Sequence, residues 1–246
     1  MAYRDTFGKA LMAHHLDNTI NEYLVERDDG LSEPLPSDAY FIDSSRFSDG
    51  LKAALEHVSG RVLDIGCGAG RIPLHLQDRF HIVGMDISHL ALRVCQLRGV
   101  KNLVNARAPF FPFGRNTFDI AILMGNNYGL CGSVDATREM MKNLHRIMSA
   151  DGIIIAQSRD PYNTDREVHL RYHRQNIENC RPAGQVTIRV GFNGEYSDWF
   201  DLLMQSREEM AETIHPYWQI DRTYDSNIAI LRKKRVHNNA SKDSHL

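Results

Sequence analysis

The chain has 246 residues, enough for one large domain with a well-buried core. It carries 29 basic and 31 acidic side chains, which give a formal net charge of −2. Proteins that bind a nucleic-acid duplex usually have a surplus of Lys and Arg, so this balance argues against such a partner.

Cysteine spacing and hydropathy exclude further classes of protein. The four cysteines are scattered, with no Cys-x-x-Cys pair and no Cys/His ligand spacing, which argues against a disulfide framework or a metal site. The N-terminus lacks the apolar stretch of a signal peptide, and no apolar run approaches the roughly 20 residues that span a bilayer. The sequence therefore predicts a cytoplasmic protein without a membrane span.

Strands and helices are predicted to alternate after a mixed first segment. Residues 1–46 are predicted as an N-terminal helical segment. From there, strands are predicted at 61–65, 80–86, 103–106, 118–124 and 152–158, and helices at 47–58, 71–78, 88–98 and 133–148. This βαβ alternation predicts a doubly wound α/β fold, in which helices cover both faces of a mostly parallel sheet.

The alternation stops after the fifth predicted strand. Residues 159–200 are polar and rich in Arg, His and Tyr, with a β-like stretch at 186–190. A helix at 207–214 and two strands, at 218–224 and 228–232, complete the sheet. We interpret residues 160–200 as an insertion over the C-terminal edge of the sheet, where open α/β sheets bind ligands. The main domain is then 47–236, followed by a disordered polar tail at 237–246.

A glycine-rich turn follows the first strand of this domain. Gly66, Gly68 and Gly70 let the backbone turn tightly and approach a ligand. The dinucleotide fingerprint would place a third glycine at position 71, which is Arg71 here. Asp64 precedes the glycines, and its carboxylate would repel a pyrophosphate but attract an ammonium group. The turn therefore favours a zwitterionic ligand over a nicotinamide dinucleotide.

Asp86 ends the second strand, about 20 residues after the first glycine, the spacing at which an acid hydrogen-bonds ribose hydroxyls. Together, residues 62–70, Asp86 and residues 118–124 resemble the class I S-adenosylmethionine (SAM)-dependent methyltransferases. The resemblance implies a Rossmann-like sheet of seven strands with the last strand antiparallel. It also implies SAM as cofactor and an N-terminal segment that folds over the site as a lid.

The resemblance also assigns the cofactor site position by position. Asp86 would bind the ribose of SAM, and Ile87 would pack on the adenine. The residues that would contact the methionine portion are Asp64, Gly66, Cys67, Gly68 and Gly70. The family's adenine-edge loop aligns with residues 105–113 and often carries an acid there. The aligned residue is Arg107, which cannot accept a hydrogen bond, so backbone groups of Arg107 and Ala108 are expected to meet the adenine.

The segment after the fourth strand is expected to lie beside the acceptor. Asn126 is predicted to help hold SAM, and Asn127 or Tyr128 to orient the acceptor. The alternative is a polar turn whose glycines supply positive φ angles.

Two further candidates lie at or beyond the fifth strand. Arg159 could pair bidentately with an anionic acceptor, or simply with Asp160 or Asp165. His173 is a candidate general base because histidine titrates near neutrality. His169 shares its helical face, but no Glu lies between the two in the zinc-protease pattern, and no metal is expected.

The sequence thus predicts an enzyme that moves the methyl group of SAM to an O or N nucleophile of a small molecule or peptide. A tRNA or rRNA methyltransferase shares the same core, but this composition does not supply its basic, aromatic-bearing face. A non-catalytic SAM-binding protein is a second alternative, although such proteins often lose the glycine loop or its acids. A nicotinamide dehydrogenase is the weakest alternative, because of Asp64.

Overall fold

The computed structural model describes residues 4–234, so the predicted tail at 237–246 lies outside the described residues. The helices and strands are, in chain order, α1 (Thr6–Leu16), β1 (Glu22–Arg27), β2 (Ser32–Pro36), α2 (Asp49–Leu55), β3 (Arg61–Ile65), α3 (Arg71–Leu76), β4 (His81–Asp86), α4 (His89–Leu97), β5 (Leu103–Asn105), β6 (Phe118–Leu123), α5 (Val134–Ile147), β7 (Met148–Gln157), α6 (Glu167–Glu178), β8 (Gln185–Phe192), β9 (Glu195–Tyr196), β10 (Phe200–Leu203), α7 (Arg207–Ile214), β11 (Trp218–Tyr224) and β12 (Ile228–Lys233). Short 3-10 helices lie at Ser37–Tyr40, Ser44–Arg46 and Asn127–Gly129.

Seven strands form the central sheet, in the order β11-β12-β7-β6-β3-β4-β5. The strands from β7 to β5 pair in parallel, as their helical crossover connections allow. β12 is antiparallel to both of its neighbours, β7 and β11. The predicted doubly wound, mostly parallel sheet with an antiparallel last strand is confirmed.

Two apolar clusters cover the two faces of this sheet. Successive side chains of a strand point to opposite faces. On β6, Ile120 and Ile122 pack with residues of α2 and α3, whereas Ala121 and Leu123 pack with residues of α5 and α7. All four side chains are buried, which explains why β6 reads as a continuous apolar run.

A second, antiparallel sheet is built from both the N-terminal segment and the insertion. Its strand order is β10-β8-β1-β2, with β9 paired to β8; we call it the covering sheet. The prediction of an N-terminal helical segment holds for α1 but is wrong for residues 22–36, which form β1 and β2. The reason is that β1 pairs with β2 on one side and with residues 188–191 of β8 on the other, so its backbone hydrogen bonds come from a distant partner.

The covering sheet lies against the C-terminal ends of the central strands. The side-chain amide of Asn126, just after β6, donates to the carbonyl oxygen of Leu203 in β10 at 3.3 Å. On the other side, Asp5 joins α1 to α4, because its carboxylate accepts from the amides of Gly8 at 3.0 Å and Leu90 at 2.9 Å. Within residues 4–234, no helix is long and apolar enough to cross a membrane.

Candidate cofactor and acceptor site

The glycine loop between β3 and α3 has a backbone that only glycine adopts without strain. Gly66, Gly68 and Gly70 have φ angles of 71°, 55° and 83°. A Cβ at Gly66 would lie 2.5 Å from the Nδ2 atom of Asn127, and one at Gly70 would lie 2.8 Å from a methyl group of Val100. The close packing therefore forbids side chains at positions 66 and 70.

Asp86 lies at the C-terminal end of β4, directly beside this loop. One carboxylate oxygen accepts from the amide of Gly68 and the other from the amide of Ser88, both at 2.9 Å. Burial raises the pKa of Asp86 to about 6, and these two amides oppose that rise. Since a carboxylate oxygen accepts more than one hydrogen bond, the fixed carboxylate retains capacity for two hydroxyl groups of a ligand.

Asp64 is almost completely buried at the end of β3 and lines a small cavity. Burial raises its pKa to about 7; the positive charge of Arg71 lowers it, and the charge of Asp86 raises it further. A ligand ammonium group would stabilise the ionised carboxylate here. The assignment of Asp64 to the ammonium group and of Asp86 to the ribose of SAM stays a prediction.

The cavity at the glycine loop has a volume of about 50 Å³, and Asp64, Gly66, Cys67, Tyr40 and Asn127 contribute to its wall. Ligand pockets usually measure roughly 300–1,000 Å³. Tyr40 comes from the 3-10 helix before α2, and its ring would lie 3.1 Å from a Cβ at Gly68. A ligand as large as SAM would therefore have to displace Tyr40.

The predicted adenine contacts lie beyond Asp86. Ile87 is half-buried, and its carbonyl accepts from the side-chain amide of Asn105 at 2.9 Å, which also donates to the carbonyl of Asp86 at 3.0 Å. Arg107 is exposed, and its carbonyl accepts from the amide of Phe110 at 2.8 Å. Ala108 is half-buried against the core. The adenine contact through backbone groups of Arg107 and Ala108 stays a prediction.

The two asparagines after β6 make different contacts within the protein. Asn126, predicted to hold SAM, uses its amide for Leu203 and its carbonyl oxygen for the amide of Arg159, at 2.9 Å. Asn127 instead reaches the glycine loop and donates to the carbonyls of Ile65 and Gly66, both at 2.8 Å. The positive φ of Asn126, 71°, turns the chain so that the second asparagine faces the cofactor side.

The structure also corrects the role predicted for Tyr128. Its side chain is completely buried in the core, and its hydroxyl donates to the side-chain carbonyl of Gln205 at 3.0 Å. Burial raises the pKa of this phenol well above its usual value. Tyr128 therefore stabilises the turn after β6 and does not reach an acceptor. An apolar core position was mistaken for a site position because it follows two asparagines.

His173 lies on α6, buried beside His169 and Arg27 of the covering sheet. Burial lowers the pKa of His173, as do the charges of His169 and Arg27. It is not among the residues that line the cavity at the glycine loop. His173 is thus separate from the cluster formed by Asp64, Gly66, Asp86 and Asn127. Within residues 4–234, no group of three or more His, Cys, Asp or Glu side chains is placed to hold a metal ion.

Arg159 lies directly after β7, where Asn126 fixes its backbone, and its side chain is exposed. Among residues 4–234, neither Asp160 nor Asp165 forms the predicted alternative salt bridge with it. Sequence reasoning missed Tyr23 and Tyr40, which approach the site from the N-terminal segment. The only signal for them was the expectation that this segment folds over the site.

Comparisons with known proteins agree with this geometry. Residues 62–152 match a family model described as a methyltransferase domain. The chain is 30% identical over 136 residues to an uncharacterized protein of Methanocaldococcus jannaschii, covering 54% of this chain and 51% of the relative. It is 29% identical over 150 residues to the ribosomal RNA small subunit methyltransferase C of Shewanella sediminis, covering 55% and 43%. The chain thus spans about half the length of the curated relatives it matches.

Solved structures of other proteins share the fold of this chain, although their sequences are only distantly similar to it. A SAM-dependent methyltransferase from Bacteroides fragilis, in complex with S-adenosyl-L-homocysteine, has a TM-score of 0.77 and 20% identity, with 94% of each chain covered. The CcbJ methyltransferase from Streptomyces caelestis has a TM-score of 0.62 and 14% identity, covering 95% of this chain and all of that one. The chain therefore has the Rossmann-like methyltransferase fold, and residues 62–152 within it match a methyltransferase domain.

Proposed function

We propose that this protein transfers the methyl group of SAM to an O or N nucleophile of a small molecule or peptide. The observation that carries the proposal is the carboxylate of Asp86, which two backbone amides hold at the end of β4 beside the glycine loop. This arrangement fixes a hydroxyl-binding carboxylate next to a backbone that a ligand can approach closely.

Each cofactor-side residue has a distinct role in this proposal. Asp86 binds the ribose hydroxyls, and Asp64 binds the ammonium group, which favours its ionised form. Ile87 packs on the adenine, and backbone groups at Arg107 and Ala108 face the adenine edge. The methionine portion of SAM lies against the backbone of the glycine loop, at Gly66, Cys67, Gly68 and Gly70. SAM supplies an already activated methyl group when bound.

On the acceptor side, the protein contributes positioning and exclusion of water. The covering sheet stands over the turn after β6, and Tyr40 touches the glycine loop. An acceptor enters this covered space more readily as a small molecule or a peptide end than as a folded nucleic acid. An amine acceptor needs no strong base, and we assign His173 no step in the transfer.

An RNA acceptor is the second candidate, because one relative is a ribosomal RNA methyltransferase. It predicts a basic surface around the site, whereas the whole chain carries slightly more acidic than basic residues.

Labelled SAM tests the proposal and its alternative together. The protein is incubated with methyl-labelled SAM and either a small-molecule fraction, a peptide fraction or purified ribosomal RNA. Label in the small-molecule or peptide fraction supports the proposal. Label only in RNA would replace it with the second candidate. SAM binding without label in any fraction would indicate a non-catalytic SAM-binding protein.

A further inference from the structure

The cavity at the glycine loop is bounded on one side by the ring of Tyr40. This ring would lie 3.1 Å from a Cβ at Gly68, so it packs closely against the backbone of the loop. Asp64 and Gly66, two of the predicted cofactor contacts, line the same cavity, whose volume is about 50 Å³. The Tyr40 ring therefore occupies space that the methionine portion of SAM would need.

The backbone around Tyr40 is tied to the glycine loop by two arginines. Arg98, directly after α4, donates to the carbonyl oxygens of Tyr40 at 3.4 Å and of Phe41 at 3.2 Å. The same guanidinium donates to a carbonyl of the glycine loop and lies over the Phe41 ring, 4.8 Å from its centroid. Arg71, at the start of α3, donates to the carbonyl oxygen of Ala39 at 3.3 Å. Three successive carbonyls are thus held in place by charged donors.

The Tyr40 side chain is held by neutral groups instead. Its hydroxyl oxygen lies 3.2 Å from the hydroxyl oxygen of Tyr23 in β1, within hydrogen-bond distance. Phe7 of α1 packs edge-on against both rings, with its centroid 5.7 Å from that of Tyr23 and 5.1 Å from that of Tyr40. Tyr23 is buried, whereas Tyr40 is half-buried. The Tyr40 ring therefore has a path to solvent through rotation about its side-chain bonds.

We propose that Tyr40 is a gate to the cofactor site, whose ring rotates out of the cavity to admit SAM and which the hydroxyl of Tyr23 holds shut in the free protein. This inference rests on the proposed function and adds a step that precedes methyl transfer. Neither tyrosine is a catalytic residue in this step, because no covalent bond forms or breaks.

The contacts favour rotation of the ring over lifting of the whole segment. Rotation breaks the hydrogen bond between two neutral hydroxyls. Lifting the backbone would also break the hydrogen bonds from Arg98 and Arg71, and hydrogen bonds to charged groups are the stronger ones. Because SAM binds only the open form, its association rate and apparent affinity are reduced by the fraction of protein in which the gate is shut.

Binding kinetics of S-adenosylhomocysteine to the complete protein, measured by surface plasmon resonance, test the gate. Tyr40→Ala should raise the association rate constant at least tenfold without weakening the affinity. Tyr40→Phe and Tyr23→Phe keep the rings and remove the hydrogen bond between the hydroxyls, so each should raise the rate constant about fivefold. The double variant should exceed neither single variant, because both remove the same interaction.

Tyr172→Phe is the matched control. Tyr172 and Tyr23 are each 5% exposed, and the Tyr172 hydroxyl donates to the carboxylate of Asp28 at 2.7 Å. Tyr172 lies on α6 and does not line the cavity at the glycine loop. Its replacement should therefore leave the association rate constant unchanged.

Three results would overturn the gate. The first is an unchanged association rate constant in Tyr40→Ala, Tyr40→Phe and Tyr23→Phe. The second is an affinity more than threefold weaker in Tyr40→Ala, since the ring would then be part of the wall that binds the cofactor. The third is an equal acceleration in Tyr172→Phe, which would indicate general loosening. If neither the native protein nor Tyr40→Ala bound S-adenosylhomocysteine, the proposed function itself would fail, so the two failures are distinguishable.

Discussion

The central sheet and the covering sheet bring residues together over very different chain distances. In the central sheet, β3 is followed within about 20 residues by its neighbour β4, and the glycine loop lies between them. In the covering sheet, β1 pairs with β8, whose partner residues lie more than 160 positions further along the chain. The predicted cofactor contacts thus lie in one short local motif, whereas the proposed acceptor side is assembled from two distant segments.

The two regions also use different interactions. Backbone amides and asparagine side chains hold the cofactor side, as at Asp86 and Asn127. Charged side chains link the strands of the covering sheet: Arg189 of β8 pairs with Glu26 of β1 at 2.9 Å and lies between two aromatic rings, Tyr196 at 4.3 Å and Trp199 at 4.6 Å. Changes in the first region should affect cofactor binding, and changes in the second should affect stability or acceptor recognition.

The largest effect is expected at Asp86. Asp86→Ala removes the charged acceptor of hydrogen bonds that the ribose hydroxyls donate, each worth about 1.5–3 kcal/mol, so SAM affinity should fall more than tenfold. Calorimetric titration with S-adenosylhomocysteine measures the loss, and circular dichroism checks that the protein remains folded. An unchanged affinity would show that Asp86 does not bind the ribose hydroxyls.

The pH dependence of binding should reveal the buried acids. The pKa values of Asp64 and Asp86 are raised by burial, to about 7 and about 6. Acids with raised pKa values contribute stability at low pH, and this contribution is lost as the pH rises through about 6 to 7. A cationic ligand prefers the ionised acid, so affinity for S-adenosylhomocysteine should rise about tenfold between about pH 6 and pH 8.

Asp64→Asn is the control for this pH dependence, because it cannot ionise. The variant should bind more weakly, and its affinity should change little over the same range. A native protein whose affinity does not depend on pH would show that Asp64 does not face the ammonium group.

Neighbouring asparagines allow a sharper comparison of the two regions. Asn127→Ala leaves the carbonyls of Ile65 and Gly66 without their donor and should lower SAM affinity about fivefold, since a net hydrogen bond contributes about 1 kcal/mol. Asn126→Ala instead removes the hydrogen bonds to the carbonyl of Leu203 and from the amide of Arg159. It should leave SAM affinity within about threefold and lower the free energy of unfolding by about 1–3 kcal/mol. Equal effects of both variants on SAM affinity would contradict the distinction between a cofactor side held by Asn127 and a covering sheet held by Asn126.

The contrast also explains which features the sequence alone predicts. The strands at 61–65 and 118–123 were predictable because burial on both faces makes them short apolar runs, and the glycines and Asp86 belong to one local pattern. Residues 22–36 resembled part of a helical segment, because their strand partner β8 is remote in sequence. The choice between Asn126 and Asn127 depends on a positive φ angle, which residue types alone do not specify.

The smallest effect is expected in the covering sheet. Glu26→Gln weakens a half-buried ion pair and should lower the free energy of unfolding by about 1 kcal/mol, without changing SAM affinity. The control is Lys142→Gln on α5, which disrupts an exposed ion pair with Glu139 and should change the free energy of unfolding by less than about 0.5 kcal/mol. Urea unfolding measures both. A loss at Glu26 no larger than the loss at Lys142 would show that the covering sheet does not depend on its ion pair.

Calorimetric titration of the native protein with S-adenosylhomocysteine, alongside an identical titration with NAD, tests the central claim most directly. The account predicts saturable one-to-one binding of S-adenosylhomocysteine, its loss in Gly68→Val, and no binding of NAD. In that variant a branched side chain would face the ring of Tyr40 at a backbone with a φ of 55°. Binding of NAD in preference to S-adenosylhomocysteine, or full S-adenosylhomocysteine affinity in Gly68→Val, would contradict the claim that the glycine loop and Asp86 form a SAM site.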